Sequence, residues 1–215
     1  MIISLSKKFV CLNPPKTGTG YREHLLLPYT DLSVAHISDK MQNLLDSLHI
    51  TAERFRHFNY SQASQFIRSL GLDDSEFYFF TFVRNPWCRM VSYFNMFVQQ
   101  RPQELELTKE CFKMFIFDYF SREKFISYAQ EDFCRHNGRE VDYIDCLTEI
   151  SRAMNFLNQK LQLKTECTYY TNQKPSTYYK IYQFFDDEII NFIAAKEKYI
   201  ISKMKYIYSN CTERD

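Results

Sequence analysis

The stretch Pro15-Lys16-Thr17-Gly18-Thr19-Gly20 concentrates groups that hold an anion. The chain has only 4 glycines, and Gly18 and Gly20 both fall here. Glycine lets backbone amides turn inward and approach a ligand closely. Lys16 brings a full positive charge, and Thr17 and Thr19 bring hydroxyl donors. Placed between a strand and a helix, such a loop aims its amides and the helix N-terminus at a phosphate. The order differs from the G-x-x-x-x-G-K-[ST] nucleotide loop, because here the lysine precedes the glycines. An ordinary glycine turn with a solvated lysine has the same composition, so the stretch needs a companion before it reads as a site.

That companion is Arg84-Asn85-Pro86-Trp87-Cys88-Arg89-Met90-Val91-Ser92. It follows directly on Phe77–Val83, an aromatic and β-branched run with no polar alternation. Such a run predicts a strand covered on both faces. An arginine at the carboxyl end of a central strand lies where open α/β sheets bind ligands, and its planar fork matches a phosphate. On the helix predicted from Pro86 to about Val98, Arg89 and Ser92 share a face. A phosphate held between Arg84 and Ser92 is one reading. The other is an arginine that caps the sheet, with an ordinary helical serine. Two anion sites at the ends of two strands suit a nucleotide phosphorylated at both its 5′ and 3′ positions.

The elements expected to position these residues alternate. Strands are expected over Lys7–Leu12, Leu32–Ile37, Glu53–Phe58 and Phe77–Val83, and helices over Thr19–Leu27, Asp39–Leu48 and Ser61–Leu70, the last closed by Gly71. The alternation predicts an α/β fold with a parallel sheet flanked by helices, P-loop-like, and a mostly helical second half. Near the C-terminus Ile189, Ile193, Ile200 and Met204 mark one apolar helical face behind Asp186 and Asp187, which reads as core packing. The length of 215 residues suits a single domain over 1–215.

Taken together, the two stretches resemble the sulfotransferase superfamily, especially carbohydrate sulfotransferases and their bacterial relatives. Pro15-Lys16-Thr17-Gly18-Thr19 is similar to that family's 5′-phosphosulfate loop. Phe82-Val83-Arg84-Asn85-Pro86-Trp87, with Arg89 and Ser92, is similar to its 3′-phosphate motif. The likeness covers residues 8–98 and fades beyond, where Asp142-Tyr143-Ile144, Glu149 and Asn172 follow family trends. Gly20 stands where relatives usually have Ser or Thr, and Cys88 where they frequently have an acid. The resemblance implies transfer of a sulfuryl group from 3′-phosphoadenosine 5′-phosphosulfate to an acceptor hydroxyl, on a carbohydrate in the family's usual chemistry, with release of 3′-phosphoadenosine 5′-phosphate. It assigns Lys16 to the leaving group, Thr17, Gly18, Thr19 and Gly20 to the 5′-phosphate, and Arg84 and Ser92 to the 3′-phosphate. No metal is required.

The acceptor hydroxyl needs a base, and histidine suits the task best. Of the 5 histidines, His57 closes the segment Glu53–Phe58, in the interval where the family often places its base. His49, in His49-Ile50-Thr51-Ala52, resembles a family His-x-Thr-Ala pattern but lies farther upstream. His36 and Glu53 are further candidates. Competing readings are a magnesium-dependent nucleotide or small-molecule kinase, and a nucleotide-binding module of the same fold without transfer.

Composition bounds the rest. Charges nearly cancel, with 27 Lys and Arg against 26 Asp and Glu, which argues against a general nucleic-acid binder. The 7 cysteines include no C-x-x-C pair, and free thiols in a reducing compartment are expected. No leader pattern and no apolar run of about 20 residues is visible. A chain without membrane insertion, cytoplasmic if full length, is the expectation.

Overall fold

The computed structural model describes residues 1–33, 39–101, 107–121, 129–167 and 176–209. The chain falls into two compact units: Met1–Val83 with Lys124–Tyr170, and Arg84–Glu123 with Thr171–Asp215.

The first unit is built on a sheet of β1 (Ile2–Ser4), β2 (Phe9–Leu12), β3 (Leu32–Ser33), β4 (Tyr78–Val83) and β7 (Tyr143–Cys146), in the order β3-β1-β2-β4-β7. β2, β4 and β7 run parallel, with Leu12 opposite Thr81 and Val83 opposite Cys146. β1 is antiparallel to both β2 and β3. The sheet is therefore mixed, where a parallel one was expected: β1 and β2 are joined by a short turn, which only an antiparallel pair allows. The fold is α/β. A separate hairpin, β5 (Arg135–His136) and β6 (Arg139–Glu140), precedes β7.

Strand alternation sorts the core into two layers. Ile3, Val10, Leu12 and Phe79 pack on one face with Leu45, Phe55, Phe66 and Ile67. Those partners come from α2 (Asp39–Ser47), α3 (Ala52–Arg56) and α4 (Tyr60–Ser69). Ile2, Phe9, Cys11, Phe80 and Phe82 pack on the other face with Leu25 and Leu26 of α1 (Thr19–Leu26) and Ile150, Met154 and Leu157 of α7 (Ile150–Leu161). Two covered faces explain why β4 carries no polar alternation.

The segment Glu53–Phe58, expected as a strand, is the helix α3 and its end. Thr51 caps it by accepting from the Arg54 amide, and Glu53 stands in the first turn, both of which favour a helix start. The strand expected over Leu32–Ile37 is seen as Leu32–Ser33; its remainder lies outside the described residues.

The second unit is helical: α5 (Pro86–Gln100), α6 (Lys109–Ser121), α8 (Ser176–Tyr182), α9 (Asp187–Lys196) and α10 (Lys198–Met204). Of the four residues expected on one apolar face, Ile189, Ile193 and Ile200 are fully buried and Met204 is half-buried, and the segment is split between α9 and α10. Cys88 on α5 is disulfide-bonded, against the expectation of free thiols throughout. Cys11, Cys111, Cys134, Cys146 and Cys167 are free. Among the described residues no helix is long and apolar enough to cross a membrane.

Candidate functional site

In the first unit the candidate loop leaves the carboxyl end of β2, beside the end of β4. Thr81 ties the two ends together by donating to the Leu12 carbonyl at 3.2 Å. Asn13 is fully buried, and Pro14-Pro15 has no N–H with which to extend the ladder. Lys16, at φ 65°, and Gly18, at φ 76°, both take the left-handed conformation and curl the chain into a tight arc. The Thr17 hydroxyl closes the arc by donating to the Pro14 carbonyl at 2.7 Å.

Arg22 is the loop's internal scaffold, and the sequence reading missed it. It is fully buried. Its guanidinium donates to Asn13 Oδ1 at 3.1 Å, to Thr17 Oγ1 at 3.0 Å and to the Thr17 carbonyl, and it lies over the Phe82 ring at 5.2 Å. Burial pulls its pKa down from the usual arginine range, and the carbonyl and hydroxyl acceptors are what keep a buried cation tolerable. Thr17's hydroxyl is thus committed within the loop, so an anion there meets its amide and not its side chain. Nothing in the residue pattern of α1 distinguishes Arg22 from a solvated helical arginine; only its reach of one helical turn back to Thr17 would have suggested it.

The arc delivers the chain to the start of α1. Gly18 is the N-cap and offers no side-chain hydrogen bond, so the first backbone N–H groups of the helix lack the usual capping acceptor. The helix dipole adds partial positive charge at the same place. Asn13 Nδ2, buried at the base of the arc, also has no hydrogen-bond partner. An uncapped helix start, an orphaned buried donor and a lysine are the complement of a phosphate-type anion. Gly20 is exposed, and a Cβ there would meet nothing within 4 Å; a Ser or Thr would fit, so packing does not require this glycine.

Gly18 does require its freedom. A Cβ at its φ of 76° would be strained and would approach Leu147 Cδ1 at 2.6 Å. Leu147 can rotate away, but the backbone cannot. Gly18→Ala is expected to cost about 1–2 kcal/mol, a fall of roughly 2–4 °C in Tm per kcal/mol for a chain of this size. Calorimetry checks it, and adding Leu147→Ala should leave most of the loss in place.

His57 ends α3 and docks on the same loop. Its Nδ1 lies 2.7 Å from the Asn13 carbonyl. A carbonyl only accepts, so Nδ1 carries the proton and Nε2 keeps its lone pair. Burial lowers the His57 pKa to about 4, and the Asn13 hydrogen bond only partly opposes this. The ring is therefore neutral at pH 7, in the tautomer a base needs. The neighbouring Arg56 is held by a bidentate bond to Glu23, at 2.9 and 3.1 Å. His49 instead sits exposed in the turn after α2, at φ 52°, its amide bonded to the Asp46 carbonyl. Glu53 is on the first turn of α3 and exposed there. His36 and Asn172 lie outside the described residues.

The second unit opens with Arg84, 9% exposed. Asn85 caps α5, its side chain accepting from the amides of Trp87 and Cys88, with Pro86 at the first helical position. Ser92 lies two turns further on, and its hydroxyl accepts from the Tyr178 hydroxyl of α8 at 3.1 Å. Tyr178 was not singled out in the sequence. Arg89, three residues before Ser92 on α5, is fully buried and bonded to Glu197 at 2.5 Å. Its role is internal to the helical unit, because a fully desolvated guanidinium needs a carboxylate partner.

The chain matches no family model, no curated protein and no solved structure.

Proposed function

We propose that the chain is a sulfotransferase that moves a sulfuryl group from 3′-phosphoadenosine 5′-phosphosulfate to a hydroxyl of a saccharide. The observation that carries this reading is the meeting, on one loop, of an anion holder and a proton acceptor. The uncapped start of α1 with Lys16 is the first, and His57 bonded to the Asn13 carbonyl is the second.

The bound donor supplies the sulfuryl group already activated by a phosphate leaving group. The chain's own residues then have three tasks. The amides of Thr17 to Gly20 hold the 5′-phosphate, and Lys16 offsets the negative charge that grows as the S–O bond to it breaks. His57 Nε2 takes the proton from the acceptor oxygen as the new S–O bond forms. Arg84 and Ser92 are assigned to the 3′-phosphate on the strength of the sequence motif. Such transfer is mostly positioning and electrostatics, and the rigid arc around Arg22 suits that demand.

Thermal stabilisation tests the reading. Adenosine 3′,5′-bisphosphate at 100 times its Kd is expected to add about 2.7 kcal/mol of stability, and ATP with magnesium clearly less. Arg84→Ala is expected to abolish the advantage of the 3′-phosphate over adenosine 5′-monophosphate. Equal or greater stabilisation by ATP with magnesium would turn the assignment toward a phosphotransferase. Nucleotide binding without labelled-sulfate transfer to glycans, phenols or steroids would turn it toward a non-catalytic module.

A further inference from the structure

We infer, resting on the sulfotransferase reading, that Glu23 and Arg56 are a pair of positioning residues: they join the anion loop to His57, so that donor holder and base form one rigid unit. A closed ring of contacts runs through Asn13, Arg22, Glu23, Arg56 and His57. Arg22 donates to Asn13 Oδ1 at 3.1 Å. Glu23, next along α1, accepts from Arg56 Nε at 3.1 Å and from Arg56 Nη2 at 2.9 Å. His57, next after Arg56, returns to Asn13 by donating to its carbonyl at 2.7 Å. Neighbours on a helix point about 100° apart. So α1 can turn Arg22 back to the arc and Glu23 toward α3.

Core packing does not supply this link. α1 belongs to the layer of Ile2, Phe9 and Phe80, and α3 to the layer of Ile3, Val10 and Phe79 on the other face of the sheet. α3 spans only Ala52–Arg56, too short to stand as a helix by itself. Phe55 fixes its depth, fully buried with the Phe58 and Phe66 rings at 5.5 and 5.1 Å. Apolar burial is non-directional, whereas an arginine fork on a carboxylate sets an angle. Glu23 is 6% exposed, and at such a site desolvation offsets much of the attraction. What the pair fixes is therefore geometry more than stability. A second tie reaches the same residue, because the Met1 amine donates to the Arg56 carbonyl.

The charges around His57 give the pair a signature. The Met1 amine, Arg22 of α1 and Arg56 of α3 face the ring, and they add to the burial that lowers its pKa to about 4. Glu23 is the carboxylate that faces these cations. With the ring still on the Asn13 carbonyl, loss of that carboxylate would lower the pKa further. With the ring released to water, the pKa would rise toward the 6.5 or so of a free imidazole. An electrostatic effect and a lost position thus have opposite signs.

The test uses the whole chain with ring-labelled histidine, and the spectrum of His57→Ala identifies the His57 signal. Glu23→Gln and Arg56→Lys are each expected to raise the His57 pKa from about 4 toward roughly 6.5, and to end the preference for the Nδ1–H tautomer. Arg56→Lys is the gentler change, since it keeps the charge and loses only the fork. In both variants kcat for labelled-sulfate transfer should fall about 10–10²-fold. Affinity for adenosine 3′,5′-bisphosphate, held by the loop that Arg22 still braces, should be unchanged. A His57 that keeps its Nδ1–H tautomer and a pKa at or below about 4 in both variants overturns the inference, whatever happens to Tm. A raised pKa with kcat unchanged overturns it as well. The same rise in a chain whose parent form transfers no sulfate upholds the brace and removes the transferase.

Discussion

Lys16→Gly is expected to lower kcat by about 10²–10³-fold and to make the protein more stable. The two effects have separate causes in one residue. Lys16 holds a φ of 65°, a conformation that costs an L-residue roughly 1–2 kcal/mol and glycine almost nothing. Glycine relieves that strain, partly offset by the greater freedom it gives the unfolded chain. The net gain expected is about 1 kcal/mol, or roughly 2–4 °C in Tm. The ammonium group is lost at the same time, and with it the charge opposite the developing negative charge of the leaving phosphate. Strain kept where it lowers stability points to a functional demand at that position. Lys16→Ala separates the causes, because it removes the charge and keeps the Cβ strain: its rate should fall as far, with no rise in Tm. Single-turnover sulfate transfer and calorimetry on the two variants are the measurements. A Lys16→Gly protein that turns over at the parent rate leaves the loop with no catalytic part to play.

How far the sequence reveals this arrangement depends on how local each signal is. β4 is legible because burial on both faces leaves an aromatic and β-branched run with no polar alternation, with Phe79 in one layer and Phe80 and Phe82 in the other. The loop after β2 is legible because glycine and lysine types declare backbone freedom and charge without reference to distant residues. α3 was misread because Glu53–Phe58 is too short to display a period, which left only the Thr51 cap and the first-turn Glu53 as cues. β7 was hidden because Asp145, inside the strand, breaks the apolar pattern; Arg152 bonds its carboxylate at 2.8 and 3.1 Å and makes its burial tolerable. The internal role of Arg89 was hidden for a related reason. A buried charge is recognisable only with its partner, and Glu197 lies 108 residues away. Arg22 and the His57 tautomer depend on carbonyl positions, which no residue type announces.

His57 carries the second large effect. Its ring is neutral at pH 7, with Nδ1–H on the Asn13 carbonyl and Nε2 left to accept a proton. His57→Ala is expected to lower kcat by about 10²–10⁴-fold, the range of a lost general base. His49→Ala, in an exposed turn, should leave the rate within about twofold, as a surface change usually does. The pH profile gives a sharper signature. An unperturbed histidine would give kcat/KM an acid limb near pH 6.5. With the pKa lowered to about 4, the limb moves toward pH 4, and the rate holds nearly level from pH 7 to pH 5. Stability must follow the same shift. The folded state binds the proton less readily than the unfolded chain, so His57 contributes fully above about pH 6.5 and loses its contribution as pH falls toward 4. The full difference is on the order of 3 kcal/mol. His57→Ala should therefore flatten the stability curve between pH 6.5 and 4 as it removes turnover. A kcat/KM limb at pH 6.5 in the parent protein would place the base on another, solvated histidine.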